Sequence, residues 1–381
     1  MVQVAVLGAG PTGLAAALAA HDRGWDVTVY EQAPQVAGFV RDWAHVQMFT
    51  PWAMNLSPRI EAALGIPGPA CPTGAELAAH LDQVAALLPA GSVQLATRVD
   101  GIAREGLLKN EEIGSDARAH RPFRVLVTGP DGTERVEVAD VVLDCTGTYG
   151  NPSPTGHGGI PAPGERSVPV LRRIPEVDAG WAGRRVLLVG AGNSAQTAAR
   201  DLVAVGADLT WAVRREVPTW GAVPDDSLAD RAALVASSRA IAATGAVMAG
   251  VAVEALRRGT GSEVVVTLRA TDGQSLEVTV DTVLSLTGSA PDASLYRQLQ
   301  VHECYATEGP ITLAASLLGA AGGDCLTQVS AGVDVLRNPE PRFFVLGSKS
   351  YGRNNSFLLR VGWQQVEEVF AALDEELALL V

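Results

Sequence analysis

Val2-Gln3-Val4-Ala5-Val6-Leu7-Gly8-Ala9-Gly10-Pro11-Thr12-Gly13 opens the chain. An apolar run that ends in spaced glycines reads as a strand entering a tight turn. An alanine-rich helix follows from about Pro11 to Arg23, then a second strand from Asp26 to Tyr30. In such a βαβ start, Gly8 permits the turn, Gly10 lets the backbone approach a pyrophosphate, and Gly13 lets helix and strand pack closely. Pro11 and Thr12 open the helix, whose free N–H groups and positive dipole face the phosphates. Glu31 ends the second strand, about 20 residues on, where a carboxylate can accept hydrogen bonds from a ribose diol. Gly8, Gly10, Pro11, Thr12, Gly13 and Glu31 are therefore candidate dinucleotide contacts.

The pattern returns far down the chain. A strand at Val186–Val189 runs into Gly190-Ala191-Gly192-Asn193-Ser194-Ala195, then a helix at Ala195–Val205 and a strand at Leu209–Val213. The residues after that strand are Arg214 and Arg215. An acid there would favour the free 2′-hydroxyl of NAD, whereas arginine favours the 2′-phosphate of NADP. The alternative is a solvated surface pair. Gly190, Gly192, Asn193, Ser194, Arg214 and Arg215 are the candidate contacts of this second turn.

Between and after the two motifs the pattern is coarser. Residues 35–75 are irregular, and a helix is predicted near Ala75–Leu88. Strands are predicted at Ser92–Thr97, Phe123–Val127, Arg135–Val138 and Val141–Cys145. The Gly/Pro-rich Thr148–Glu165 reads as a linker. Further strands fall at Glu263–Leu268 and Ser275–Val280, joined through Asp272-Gly273, then at Thr282–Leu286 and Phe343–Leu346. An amphipathic helix closes the chain from about Val361 to Leu379. Asp140 to Gly147 and Asp281 to Gly288 both read as acid, apolar strand, Thr-Gly, or else are two ordinary strand ends. The fold class is α/β, with two Rossmann-like dinucleotide-binding domains, the second inserted into the first: residues 1–155, 156–288 and 289–381.

Composition narrows the partners. The 381 residues are 47% hydrophobic and carry a net charge of −13. A basic excess would suit nucleic acid or an anionic membrane surface, so neither is an expected partner. No apolar run reaches the roughly 18 residues that span a bilayer. Cys71, Cys145, Cys304 and Cys325 are scattered and no CxxC occurs, the usage of a reduced, cytoplasmic protein. Cys304 and Cys325 read as a redox pair or as small buried hydrophobes. The histidines have no metal-ligand spacing, so no metal is expected, and His21 and His80 are predicted on helix surfaces.

These motifs together resemble the flavoproteins with two dinucleotide-binding domains. In that superfamily the first turn and its acid bind FAD, the second binds NAD(P)H, and Thr146-Gly147 would mark a crossing between them. Gly-Ala-Gly-Asn-Ser-Ala at 190–195 is most similar to the flavin-containing and N-hydroxylating monooxygenases. Glu31 to Trp43, with Gly38 and Trp43, resembles their Glu…Gly-Gly-x-Trp element, although Phe39 stands at the second glycine. The resemblance implies FAD contacts at Gly38, Arg41, Trp43, Thr146, Gly147, Gly347 and Asn355. Two departures stand out: Phe-x-Gly-x-x-x-His is missing, and the Gly-Asp of disulfide-reductase relatives is Gly347-Ser348.

Two segments remain as candidates for chemistry. Phe49 and Trp52 follow the FAD adenosine region and either wall a substrate pocket or pack an irregular stretch. Lys349 to Asn355 is polar for a segment between a buried strand and a helix. Lys349, Tyr351 and Arg353 are candidate catalytic residues that would stabilise reduced flavin or hold substrate; the alternative is a solvated loop. The expected function is an FAD- and NADPH-dependent monooxygenase using O2 on a small soluble molecule. The rivals are a flavin oxidoreductase or amine oxidase without oxygen insertion, and a redox-sensing module. A homodimer stays open.

Overall fold

The structure is a computed structural model that describes residues 1–319, 326 and 328–378. Residues 1–151 and 290–381 form one compact unit and residues 152–289 a second, so one unit is inserted in the sequence of the other. No helix among the described residues is long and apolar enough to cross a membrane.

The first unit is built on a parallel five-stranded sheet. Its order is Phe343–Val345, Val141–Asp144, Gln3–Leu7, Asp26–Tyr30, Val93–Gln94. Gln3–Leu7 is central, pairing Leu7 with Tyr30 on one side and with Asp144 on the other. Parallel strands covered on both faces need continuous apolar runs, and this strand is buried from Val4 to Leu7. The helix Pro11–His21 is buried from Thr12 to Ala20 because five of those nine side chains are alanine, which lets it lie close on the sheet.

The second unit repeats the plan. Its parallel sheet runs Val247–Ala249, Asp208–Val213, Arg185–Val189, Thr282–Ser285, Val170–Leu171. Each unit also carries a three-stranded antiparallel sheet: Arg98–Arg104, Phe123–Thr128 and Glu134–Ala139 in the first, and Val251–Arg258, Val264–Ala270 and Ser275–Val280 in the second. The two chain crossings run side by side. Ala290 N donates to Asn151 O (3.0 Å), and Ser153 N donates to Gly288 O (2.9 Å).

Several elements escape the sequence reading. The strand expected over Ser92–Thr97 is only Val93–Gln94, because Ala96 turns left-handed (φ 50°) and its N–H goes to Ala33 O. Arg98–Arg104 is charged and bulged between Val99 and Gly101, which hides its alternation. Val251–Arg258 is rich in helix formers and bulged between Val253 and Ala255. The helices Ala229–Ala243 and Ile311–Gly319 are further elements that the sequence pattern does not mark. The closing helix begins at Leu359 and is described to Ala378.

A buried charge cluster ties the first antiparallel sheet to the return segment. Glu340 accepts from Arg104 Nε (2.9 Å) and from Arg118 Nη2 (2.7 Å), with all three side chains at 0–1% exposure. Arg104 also donates to Arg121 O and Pro341 O and lies 3.5 Å over the Phe123 ring. Burial pushes the Arg104 guanidinium down to about 10, against the pull of Glu340. Two cations share one carboxylate, so its removal strands both. We expect Glu340→Gln to destabilise the protein by about 3–5 kcal/mol in urea unfolding; a loss under about 1 kcal/mol, the value of an exposed pair, would show the cluster to be dispensable.

Candidate functional site

At the first glycine turn the three glycines serve different ends. Gly8 has φ 94°, and a Cβ there would lie 2.9 Å from Cys145 O; a Cβ at Gly13 would lie 1.9 Å from Gly8 O. Both are demanded by backbone packed on backbone. A Cβ at Gly10 would meet nothing within 4 Å, and this open position lines the cavity described below. Pro11 begins an eleven-residue helix whose first N–H groups have no intrahelical partners.

Glu31 is buried beside this turn. Its Oε2 accepts from Ala9 N (2.8 Å) and its Oε1 from Ala33 N (2.8 Å). Burial raises its carboxyl above the ordinary value, with the Ala33 and Ala9 amides opposing. Each oxygen keeps lone-pair capacity for a further donor. Gly38 comes in tightly, since a Cβ there would lie 2.4 Å from Ala33 Cβ.

A cavity of about 480 Å³, within the ordinary size of ligand sites, starts at Glu31 and Gln32 and passes Gly8, Gly10, Pro11 and Thr12. It continues between Thr146-Gly147 and Gly347-Ser348, and on another wall takes in Gly38, Phe39 and Trp43. The open face at Gly10, the helix N-terminus and the buried acid fit a dinucleotide laid along this cavity.

The remaining site residues fall outside it. Arg41 reaches Asp82 (2.6 Å) and Val36 O instead of the cavity. Trp52 belongs to the core and packs on His80, ring to ring at 5.4 Å. His80 is thus buried rather than on a helix surface. Phe49 is half-buried and does not line the cavity. Besides Trp43, the aromatics that do include Tyr30, Phe357, Phe39 and Tyr149; Phe39 and Tyr149 lie 6.5 Å apart, and Phe39 closes on Gly150. Asp292 also lines the cavity; burial works against its ionisation, but the Ser294 hydroxyl and amide, then Lys349 and Arg297, hold it below the ordinary carboxylate range. The sequence signal for Asp292 was the Pro-Asp that follows the second Thr-Gly.

The 349–355 segment corrects the sequence reading most. Lys349 is 1% exposed, and its Nζ donates to Asp144 Oδ2 (2.6 Å) and Thr146 Oγ1 (3.0 Å). Thr146 in turn donates to Asp144 Oδ1 (2.7 Å). Lys349 is therefore no free cation beside a ligand; it pins two cavity-lining turns from behind. Tyr351 is buried edge-on to Phe357, and burial pushes its hydroxyl up to about 12. Arg353 points to Glu308 (2.7 Å), and Asn355 is exposed and off the cavity. None of residues 349–355 lines the cavity, whereas Gly347 and Ser348 just before them do.

In the second unit, Gly190 has φ 125°, and a Cβ there would lie 2.2 Å from Leu286 O, while one at Gly192 would meet nothing within 4 Å. Asn193 and Ser194 are exposed at the start of the helix Asn193–Ala204. Arg214 and Arg215 are exposed just past the strand Asp208–Val213, and neither makes an ion pair among the described residues. Cys304 is buried, where backbone N–H groups of Thr307 and Ala306 lower its thiol; Cys325 lies outside the described residues.

Two dinucleotide-binding units, each with its own glycine turn, define a flavin- and pyridine-nucleotide-type oxidoreductase fold. The family model for the pyridine nucleotide-disulphide oxidoreductases matches residues 2–306, and the chain belongs to that family. No curated protein matches the sequence. Among solved structures, the bacillithiol disulfide reductase Bdr from Bacillus cereus is 20% identical, with 98% of this chain and 99% of that one covered and a TM-score of 0.76. The Kutzneria ornithine N-hydroxylase is 15% identical (98% and 99% covered, TM-score 0.67). A flavin-containing monooxygenase from Stenotrophomonas maltophilia is 21% identical (100% of both chains, TM-score 0.61). FAD and a nicotinamide dinucleotide, the cofactors of this class, match the two turns.

Lys349→Met would strand the Asp144 carboxylate in the interior, at a cost of about 3–5 kcal/mol. Adding Asp144→Asn should recover most of that loss in urea unfolding. If Lys349→Met alone is nearly neutral, the pair does not hold the two turns together.

Proposed function

We propose that this protein is an FAD- and NADPH-dependent oxidoreductase that works as a monooxygenase, oxygenating a small soluble molecule at nitrogen, sulfur or a carbonyl carbon. One observation carries this reading: among the described residues, a single cysteine, Cys145, lines the cavity, so no dithiol stands there to take electrons from a flavin. Cys145 and Cys304 form no disulfide, and the sequence has no CxxC. The Cys145 thiol is pushed far above its ordinary value by burial and then by Asp144, with Lys349 opposing. A thiol held protonated is a poor nucleophile. Electrons entering from NADPH must then leave to a diffusible acceptor, which we take to be O2. The likeness to the ornithine N-hydroxylase and to the flavin-containing monooxygenase supports this reading.

In this reading Gly10 and the N–H groups after Pro11 receive the pyrophosphate of FAD, and Glu31 the adenosine ribose. Ser348 offers the cavity a hydroxyl where Gly-Asp relatives have a carboxylate. Bound FAD supplies hydride acceptance and oxygen chemistry that no side chain here possesses. Gly192, Asn193 and Ser194 receive the phosphates of NADPH, and Arg214 with Arg215 its 2′-phosphate.

A second reading, a low-molecular-weight disulfide reductase, is favoured by the TM-score of 0.76 to the bacillithiol disulfide reductase and by Cys145 at the cavity. Stopped-flow mixing of the NADPH-reduced protein with O2 separates the two. We expect fast reoxidation in two resolved phases, with H2O2 appearing only in the second. A single fast phase with stoichiometric H2O2 would mark an oxidase. Sluggish reoxidation with NADPH-dependent reduction of added cystine or glutathione disulfide would establish the reductase.

The FAD assignment has its own check. Gly10 has φ −82° and free space at its Cβ, so Gly10→Val suits the fold but fills the ligand's side. The variant should keep wild-type circular dichroism and lose bound flavin. Full flavin content would refute the assignment.

A further inference from the structure

The arginines that would read a 2′-phosphate sit on a long loop, residues 214–228, between the strand Asp208–Val213 and the helix Ala229–Ala243. A loop of this length would ordinarily carry its side chains through many positions. This one is pinned at three points, all within residues 152–289. At its start, Gly250 N donates to Arg215 O (3.2 Å) and Thr271 Oγ1 to Glu216 Oε1 (2.7 Å). At its end, Arg231 forks onto Asp226 (2.6 and 2.7 Å).

The middle pin is the unusual one. Trp220 is 4% exposed and adopts a left-handed backbone, φ 58°, which a bulky side chain rarely takes. Its ring packs on Trp211 at 4.6 Å, and Trp211 Nε1 donates to Gly190 O (2.7 Å), the first glycine of the turn. The Gln196 amide bridges the same two parts directly: its Nε2 donates to Trp220 O (3.0 Å) and to Ala191 O (3.2 Å). Ser238 Oγ donates to Gln196 Oε1 (3.0 Å), which fixes the orientation of the amide. Gln196 is 1% exposed and its polar atoms are satisfied, so its position is set before any ligand arrives.

We propose that Gln196 and Trp220 are specificity-determining positioning residues: they lock the arginine loop to the glycine turn, and this preorganisation gives the second unit its preference for a 2′-phosphorylated adenosine. This deepens the NADPH reading above and rests on it. The two ends of the ligand are read by separate pieces of chain, the pyrophosphate by the turn and the 2′-phosphate by the loop. Affinity gained from both at once depends on their separation being held. A pin that fixes the separation acts on the 2′-phosphate alone, because the turn by itself still receives the pyrophosphate.

The test is calorimetric titration with adenosine 2′,5′-bisphosphate and with ADP, neither of which requires turnover. The unmodified protein should bind the 2′,5′-bisphosphate about tenfold or more tightly, the range of a charge-assisted phosphate contact. Arg214→Ala with Arg215→Ala should abolish that ratio. Gln196→Met, which keeps the shape and loses both donors, should cut the ratio several-fold while ADP affinity stays within about twofold. Trp220→Gly takes the left-handed backbone without strain but loses the ring contact and should act likewise; it decides the matter if Gln196→Met does not fold. Trp220→Phe should retain most of the ratio. If the unmodified protein does not distinguish the two ligands, the NADPH reading itself falls. If it does and the arginine variant loses the distinction, but Gln196→Met and Trp220→Gly keep it or weaken both ligands equally, the pin is only structural and this proposal is overturned.

Discussion

Backbone lies against backbone at Gly8 and Gly13, and the rest of the first unit depends on it. A side chain at Gly13 would drive into the Gly8 carbonyl at 1.9 Å, and one at Gly8 would drive into Cys145. With only hydrogen at both positions, the strand Gln3–Leu7, the helix Pro11–His21 and the end of Val141–Asp144 converge on one point. The helix N-terminus is thereby aimed into the cavity and not along the sheet, and the open side of Gly10 is left facing it. The second unit uses the same constraint at Gly190 against Leu286.

Around these apolar contacts the interior holds more charge than a simple core would. Asp144 with Lys349, and Glu340 with two arginines, are almost wholly buried. Such pairs are weak sources of net stability, since desolvation consumes most of the attraction. What they provide is register. Each joins segments far apart in sequence, Asp144 to the return segment at Lys349 and Arg104 to Glu340. Two turns lining the cavity, at Thr146-Gly147 and Gly347-Ser348, are consequently held from behind by one ion pair.

The same cavity that suits a dinucleotide offers little for thiol chemistry. Burial and Asp144 raise the pKa of its single described thiol, and Asp144 and Thr146 beside that thiol are committed to each other and to Lys349. A protein arranged in this way contributes position, exclusion of water and electrostatics, and leaves bond-making to its cofactors.

How much of this was legible in the linear chain follows from the range of the forces involved. The two βαβ starts, Gly8 to Gly13 with Glu31 and Gly190 to Ala195, were readable because turn, helix start and acid are local demands of backbone geometry spaced along one short segment. The α/β class and the insertion of one unit within the other followed from finding that segment twice. The bulged strands Arg98–Arg104 and Val251–Arg258 were not legible, because bulges and long-range pairing override local propensity. Nor were the positions of Lys349, Tyr351, Arg353 and Trp52: a polar loop and an aromatic stretch look the same in sequence whether they face a ligand or the interior. Only the folded chain decides that, since burial and ion pairing depend on partners such as Asp144, His80 and Glu308, which chain separation conceals. The sequence by itself thus determined where the two glycine turns fall, and the tertiary structure alone decided which charges are buried in pairs and which stay exposed.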